Sequence, residues 1–210
     1  MKTLIVAATR AELAGLISSF ELPEGDFVTG PGFDLLVTGV GMTATAFALG
    51  RHLSPAYQLV VNLGIAGCYD RKVPLGTLLH VVSDQFSELG AENKNEFITI
   101  DELGFGKSIY DGQYYEKHPA IAALDPVTGI TVNKVHGNND SIAAIKTRLN
   151  PVTESMEGAA VFYSCNQLGI PCLQIRSISN YVEERNRGNW KIGLAINKLN
   201  DWAIEFLTNS

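Results

Sequence analysis

Three apolar runs without polar alternation, at residues 4–8, 33–37 and 59–61, constrain the fold of this chain more than any other feature. A strand with one face in water alternates polar and apolar side chains, whereas a continuous apolar strand is buried on both faces. Ala11, Leu13, Leu16 and Ile17 follow the first run at helical spacing, and residues 43–53 read as a helix after the second. Strands that alternate with helices in this way argue for an α/β fold with a parallel sheet covered on both sides. The second and third runs end in Gly39-Val40-Gly41-Met42 and Gly64-Ile65-Ala66-Gly67, which read as turns.

Residues 77–82 read as a further strand. Residues 84–118 then form an acidic, glycine-bearing excursion too long for an ordinary connection, and such excursions are often functional. A β pattern resumes over 129–135, Asp140 or Ser141 is expected to cap a helix ending near 149, and a second helix covers 157–168. Residues 171–178 are a strand with Arg176 in its middle. A long helix over 186–207 carries Ile192, Ala195, Ile196, Leu199, Ala203 and Phe206 on one stripe. No repeat, low-complexity tract or linker divides the 210 residues, so residues 1–210 read as one domain.

A net charge of −6 opposes nucleic acid as a partner, because counterion release needs a concentrated basic surface. No stretch approaches the roughly 18 apolar residues of a membrane span. Arg10 and Glu12 interrupt the amino-terminal apolar run too early for a signal peptide, so no membrane association is expected. Cys68, Cys165 and Cys172 are odd in number and lack metal spacing, which suits a reducing cytoplasm.

Gly39-Val40-Gly41-Met42-Thr43-Ala44 fits a dinucleotide fingerprint, but the acid expected about 20 positions on is missing, since residues 59–61 lead into Asn62 and the first acid afterwards is Asp70. A tight strand-to-helix turn accounts for it. No nucleophile elbow and no metal-ligand cluster appears. His52 and His80 lie in regular elements and read as surface or core fillers, and His118 is uninformative. His136, in Val-His-Gly-Asn-Asn-Asp after a strand, presents its ring to a ligand or stays a structural or solvated histidine.

Glu154-Ser155-Met156-Glu157-Gly158-Ala159-Ala160 places two acids three apart at a strand-to-helix junction, where a carboxylate can bind hydroxyls. Open α/β sheets bind ligands outside the carboxyl ends of their strands, which would collect Glu12, the Gly64–Gly67 segment, Glu157 and Ser179-Asn180 on one rim. The alternative is that Glu154 and Glu157 are solvated first-turn acids favoured by the helix dipole.

Glu12 one turn after the first strand, Asn62-Leu63-Gly64-Ile65-Ala66-Gly67, Ser155-Met156-Glu157-Gly158-Ala159 and Arg176-Ser177-Ile178-Ser179-Asn180 together resemble the purine and uridine phosphorylase superfamily, which includes methylthioadenosine/S-adenosylhomocysteine nucleosidases. The longer stretches Glu-Ser-Met-Glu-Gly-Ala-Ala and Arg-Ser-Ile-Ser-Asn-Tyr-Val-Glu-Glu-Arg-Asn-Arg-Gly-Asn-Trp, with the 84–118 segment, are most similar to the futalosine hydrolases of the alternative menaquinone pathway. The resemblance implies a three-layer α/β sandwich around a central twisted mixed β-sheet, hydrolysis of an N-ribosyl bond without cofactor or metal, and a homodimer. It matches Glu12 to the base that activates water and Met156 and Glu157 to ribose binding. Ile65, Ala66 and Gly67 would line the base and water pocket, with His136 and Ser179 as further substrate contacts.

Adenine-releasing nucleosidases place an Asp where this chain has Asn180. An amide offers an acceptor for purine N7–H and a donor for O6, which matches a 6-oxopurine such as hypoxanthine. Arg185 is the expected partner for the carboxylate that distinguishes futalosine from inosine, unless it pairs within the charged segment 183–187. A 6-oxopurine nucleoside phosphorylase would need arginines converging on phosphate, for which Arg10, Arg51 and Arg71 are the amino-terminal candidates. Another purine nucleosidase and a nonenzymatic nucleoside-binding module are the remaining alternatives; the module would have no reason to keep Glu12 beside a ribose-binding Glu157.

Overall fold

The computed structural model describes residues 2–94, 96–114 and 118–209. Its strands are β1 (Thr3–Ala7), β2 (Phe27–Thr29), β3 (Phe33–Val37), β4 (Leu59–Cys68), β5 (Leu78–Phe86), β6 (Gly90–Asn93), β7 (Glu96–Thr99), β8 (Ile109–Asp111), β9 (Asp125–Thr131), β10 (Thr153–Ser155) and β11 (Cys172–Tyr181). The helices are α1 (Ala14–Ser19), α2 (Met42–His52), α3 (Pro119–Ala122), α4 (Asn139–Leu149), α5 (Gly158–Leu168) and α6 (Ile192–Thr208), with 3-10 turns at Arg10–Leu13 and Arg187–Asn189.

The runs that lack alternation are central strands. β11, β4, β1 and β3 are mutually parallel neighbours, and the antiparallel β2 forms the edge. Successive residues of β1 feed opposite faces: Ile5 and Ala7 pack with Leu16, Leu199, Trp202 and Phe206, while Leu4 and Val6 pack with Leu49, Val161 and Phe162. Both faces are therefore covered, by α1 and α6 on one side and α2 and α5 on the other, which is why neither face needed polar residues.

The expected three-layer sandwich describes this half only. On the other side of β4 the sheet closes: β4 pairs with β11 and β10, β10 with β9, β9 with β5, and β5 with β11. These five strands form a closed ring with mixed parallel and antiparallel pairings, so the fold is mixed α/β with a partly closed barrel.

Several boundaries differ from the expected ones. Gly64–Gly67 is no turn but the carboxyl half of β4, and neither Gly64 nor Gly67 has a positive φ. Their lack of a side chain serves close approach instead of chain reversal. The 84–118 excursion holds the end of β5, the β6–β7 hairpin and β8, so much of it is paired strand. β9 spans Asp125–Thr131 and ends before residues 132–135. Asn138, not Asp140 or Ser141, caps α4 by accepting from the backbone N–H groups of both. The last helix begins at Ile192, because a separate 3-10 turn capped by Asn186 occupies the expected first turn.

Candidate active site

The strands that lie parallel in the sheet end on one rim, and a cavity of about 410 Å³ opens there. Glu12 reaches it from the turn after β1. Thr9 and Glu12 form a capping box: Glu12 Oε2 accepts from Thr9 N at 3.0 Å and from Thr9 Oγ1 at 2.9 Å, and Thr9 Oγ1 accepts from Glu12 N. Glu12 Oε1 accepts from Ile65 N of β4 at 3.1 Å. Three donors thus fix a carboxylate that is only 8% exposed.

Arg176 of β11 sits opposite Gly64 of β4, where a Cβ would overlap its Nη1 and lie 3.2 Å from Glu12 Oε1. The guanidinium thus leans across β4 toward Glu12 through the space the glycine leaves. Arg176 is 2% exposed, and its Nε and Nη2 have no hydrogen-bond partner among the described residues. Its charge acts on two further buried carboxylates, Glu157 and Asp84. Burial pushes the Glu157 carboxyl above its usual range, and Arg176 and the N–H of Gly41 oppose that rise. Glu157 Oε1 accepts this N–H at 2.9 Å, from a glycine whose φ of 94° few other residues tolerate. Asp84, raised by burial to about 6, accepts from Gln174 Nε2 at 2.8 Å and Thr131 Oγ1 at 2.9 Å. Thr131 Oγ1 in turn accepts from Ala159 N, tying the first turn of α5, which follows Glu157, to the network that holds Asp84.

The remaining groups line the same cavity. β11 shifts register against β4 between Ile178 and Asn180, and the bulge turns Ser179 and Asn180 toward the cavity. Ser179 Oγ donates to Asn180 Oδ1 at 2.8 Å and Asn180 Nδ2 donates to the carbonyl of Tyr181 at 3.0 Å, which fixes the amide. A Cβ on Gly67 would lie 3.3 Å from that Nδ2. His136 and Glu154 line it too and contact each other.

All ten sequence-expected site residues border this one cavity: Glu12, Ile65, Ala66, Gly67, His136, Met156, Glu157, Ser179, Asn180 and Arg185. Glu154 and Glu157 are 4% and 8% exposed, so they are not solvated helix-cap acids. Arg185 is exposed and lies over the Trp190 ring; within its segment it is Glu183 that is ion-paired, to Arg71. Arg10 pairs with Glu24 and Arg51 lies over Phe47, so neither borders the cavity. None of the described residues of 84–118 borders it either. Asp84, Tyr69 and Arg176 were not assigned roles from sequence. The readable signals were a charged residue inside an apolar strand and the Thr-x-x-Glu spacing of Thr9 and Glu12.

The model of the phosphorylase superfamily matches residues 5–207. The futalosine hydrolase of Streptomyces coelicolor is 30% identical over 96% of this chain and 93% of its own length. Among solved structures, the futalosine hydrolase of Helicobacter pylori superposes with a TM-score of 0.83 at 16% identity, covering 100% of this chain and 98% of that one. The 5'-methylthioadenosine/S-adenosylhomocysteine nucleosidase of the same organism, solved with butyl-thio-DADMe-Immucillin-A, also gives 0.83 at 16% identity, covering 100% and 99%. At such identity these two structures speak to the fold.

Proposed function

The chain belongs to the phosphorylase superfamily, and from that premise we propose that it hydrolyses the N-ribosyl bond of futalosine to hypoxanthine and dehypoxanthinyl futalosine, a step of menaquinone biosynthesis. The observation that carries this reading is Glu12 and Glu157 buried beside one cavity that Asn180 also lines.

Cleavage of the C1′–N9 bond passes through an oxocarbenium-like state with positive charge on the ribose. Glu12 and Glu157 border the cavity whereas Arg176 does not, so carboxylates face the ribose and favour this cation. Glu12 takes a proton from the attacking water, a contribution of about 10²–10⁴ in rate. Glu157 and Met156 hold the ribose, and Ile65–Gly67 backs the water and the base. Asn180 donates to O6 of the departing base and, once N7 has taken up a proton from solvent, accepts from N7–H, its amide oriented by Ser179. Arg185, exposed at the mouth, grips the substrate carboxylate.

The reaction needs neither cofactor nor metal. The protein acts as a homodimer in the cytoplasm: exposed Leu89, Phe105 and Tyr163 share a second cavity with Met42 and Ala46, an apolar face suited to a second copy of the chain, and its three cysteines are buried thiols. Sedimentation equilibrium tests the dimer. The function is tested by incubating the protein with futalosine in phosphate-free buffer: hypoxanthine release supports hydrolysis, and release only after phosphate is added identifies a phosphorylase instead.

A further inference from the structure

Residues from three separate segments meet at one end of the cavity. Glu154 of β10 accepts from the Tyr69 hydroxyl at 2.5 Å on Oε2 and from the backbone N–H of His136 at 2.8 Å on Oε1, and His136 Nδ1 contacts the same Oε2. Burial and the Glu154 charge push the Tyr69 hydroxyl far above its usual range, so it stays a donor. The Nδ1 contact to Oε2 fixes the ring and turns the Nε2 edge away from Glu154. No hydrogen bond among the described residues engages Nε2, and His136 borders the cavity with Asn180. The two acids of the Glu154-Ser155-Met156-Glu157 segment therefore face different tasks: Glu157 turns to Gly41, and Glu154 turns to an imidazole.

We propose that His136 is a second catalytic contact to the departing purine, its ring held by Glu154 and Tyr69 as positioning residues. The inference rests on the N-ribosyl hydrolysis proposed above. With Nδ1 held by Glu154, His136 directs Nε2–H to the polar edge of the base. As the C1′–N9 bond breaks, its electron pair moves onto the purine, and negative charge grows on N7 and O6. A donor fixed at that edge binds the transition state more tightly than the substrate. Asn180 reads the same base from β11, so the leaving group is held by two side chains.

The test uses the full chain with futalosine as substrate and its two products as inhibitors. His136→Phe is expected to lower kcat about 100-fold. It should raise the inhibition constant of hypoxanthine about tenfold, and that of dehypoxanthinyl futalosine much less. His136→Gln, which keeps a donor, should recover part of the hypoxanthine affinity, and Glu154→Gln should weaken hypoxanthine while sparing the ribosyl product. Inhibition constants that rise together for both products, or an unchanged hypoxanthine constant, overturn the proposal. If the wild-type protein releases no hypoxanthine from futalosine, the functional reading fails separately. Calorimetric binding of hypoxanthine to wild type and His136→Phe then still decides the contact: unequal affinity supports it and equal affinity overturns it.

Discussion

Gly64 has no space for a side chain because the guanidinium of Arg176 occupies it, crossing β4 on the side where Glu12 Oε1 also lies. Arg176 is nearly inaccessible, so a methyl group at position 64 leaves the guanidinium nowhere to go without breaking the balance with Glu12, Glu157 and Asp84. Gly64→Ala is expected to cost about 3–5 kcal/mol of stability, the range for a buried charge that loses its partners. Chemical denaturation reads this directly, and a loss below about 1 kcal/mol would mean that the arginine is not confined.

Glu12→Gln separates the structural from the chemical work of one carboxylate. The amide keeps an acceptor for Ile65 N but then accepts from neither Thr9 donor and cannot take a proton. Turnover should fall by about 100-fold or more. Stability should fall by only about 1 kcal/mol, the usual loss for a damaged cap. Steady-state kinetics and a melting curve on the same preparation check both, and a variant that keeps more than about a tenth of wild-type kcat shows that Glu12 is not the base.

Asp84 gives a pH dependence with a definite sign. Burial raises its carboxyl from 3.8 to about 6, against the pull of Gln174, Thr131 and Arg176. Below the unfolded value both states hold the proton and Asp84 costs nothing. As pH rises toward the folded value, the unfolded chain ionises first and stability is lost. Between about pH 5 and about pH 8 this loss is roughly 1.4 kcal/mol. Asp84→Asn removes it, so the stability of wild type relative to the variant should fall by that amount over this range in urea titrations. A difference that does not change with pH would show that Asp84 does not titrate there.

The starts of the central strands were legible in the sequence and their ends were not. Leu4, Phe33 and Leu59 open apolar runs that only a doubly covered sheet accommodates, whereas Gly64 and Gly67 read as turn residues and the strand through Arg176 reads as ending at residue 178, although β4 and β11 run on to Cys68 and Tyr181. Their meaning lies in the partner strand: the glycines make room for Arg176 and Asn180, a relation between residues more than a hundred positions apart. Ring closure was hidden for the same reason, since it depends on the three-residue β10 pairing with both β9 and β4. The candidate site was gathered by the family motifs. The Tyr69, His136 and Glu154 cluster was not, because each residue lies in a different segment and no spacing connects them.

Arg185 stacks on Trp190 at the edge of the cavity and is exposed. Water weakens a charge-assisted contact there, so Arg185→Ala should lower the ratio of kcat/KM for futalosine to kcat/KM for inosine by about tenfold, the low end for such a bond. Parallel assays of the two nucleosides give the ratio. If the ratio is unchanged, the substrate carboxylate is recognised elsewhere.

The most direct measurement compares kcat/KM for futalosine and for methylthioadenosine in phosphate-free buffer. Hydrolysis with a 6-oxopurine read by Asn180 requires futalosine to be favoured by about 100-fold or more, with hypoxanthine formed at a rate that added phosphate does not change. Preference for methylthioadenosine, or hypoxanthine release that depends on phosphate, would contradict the account.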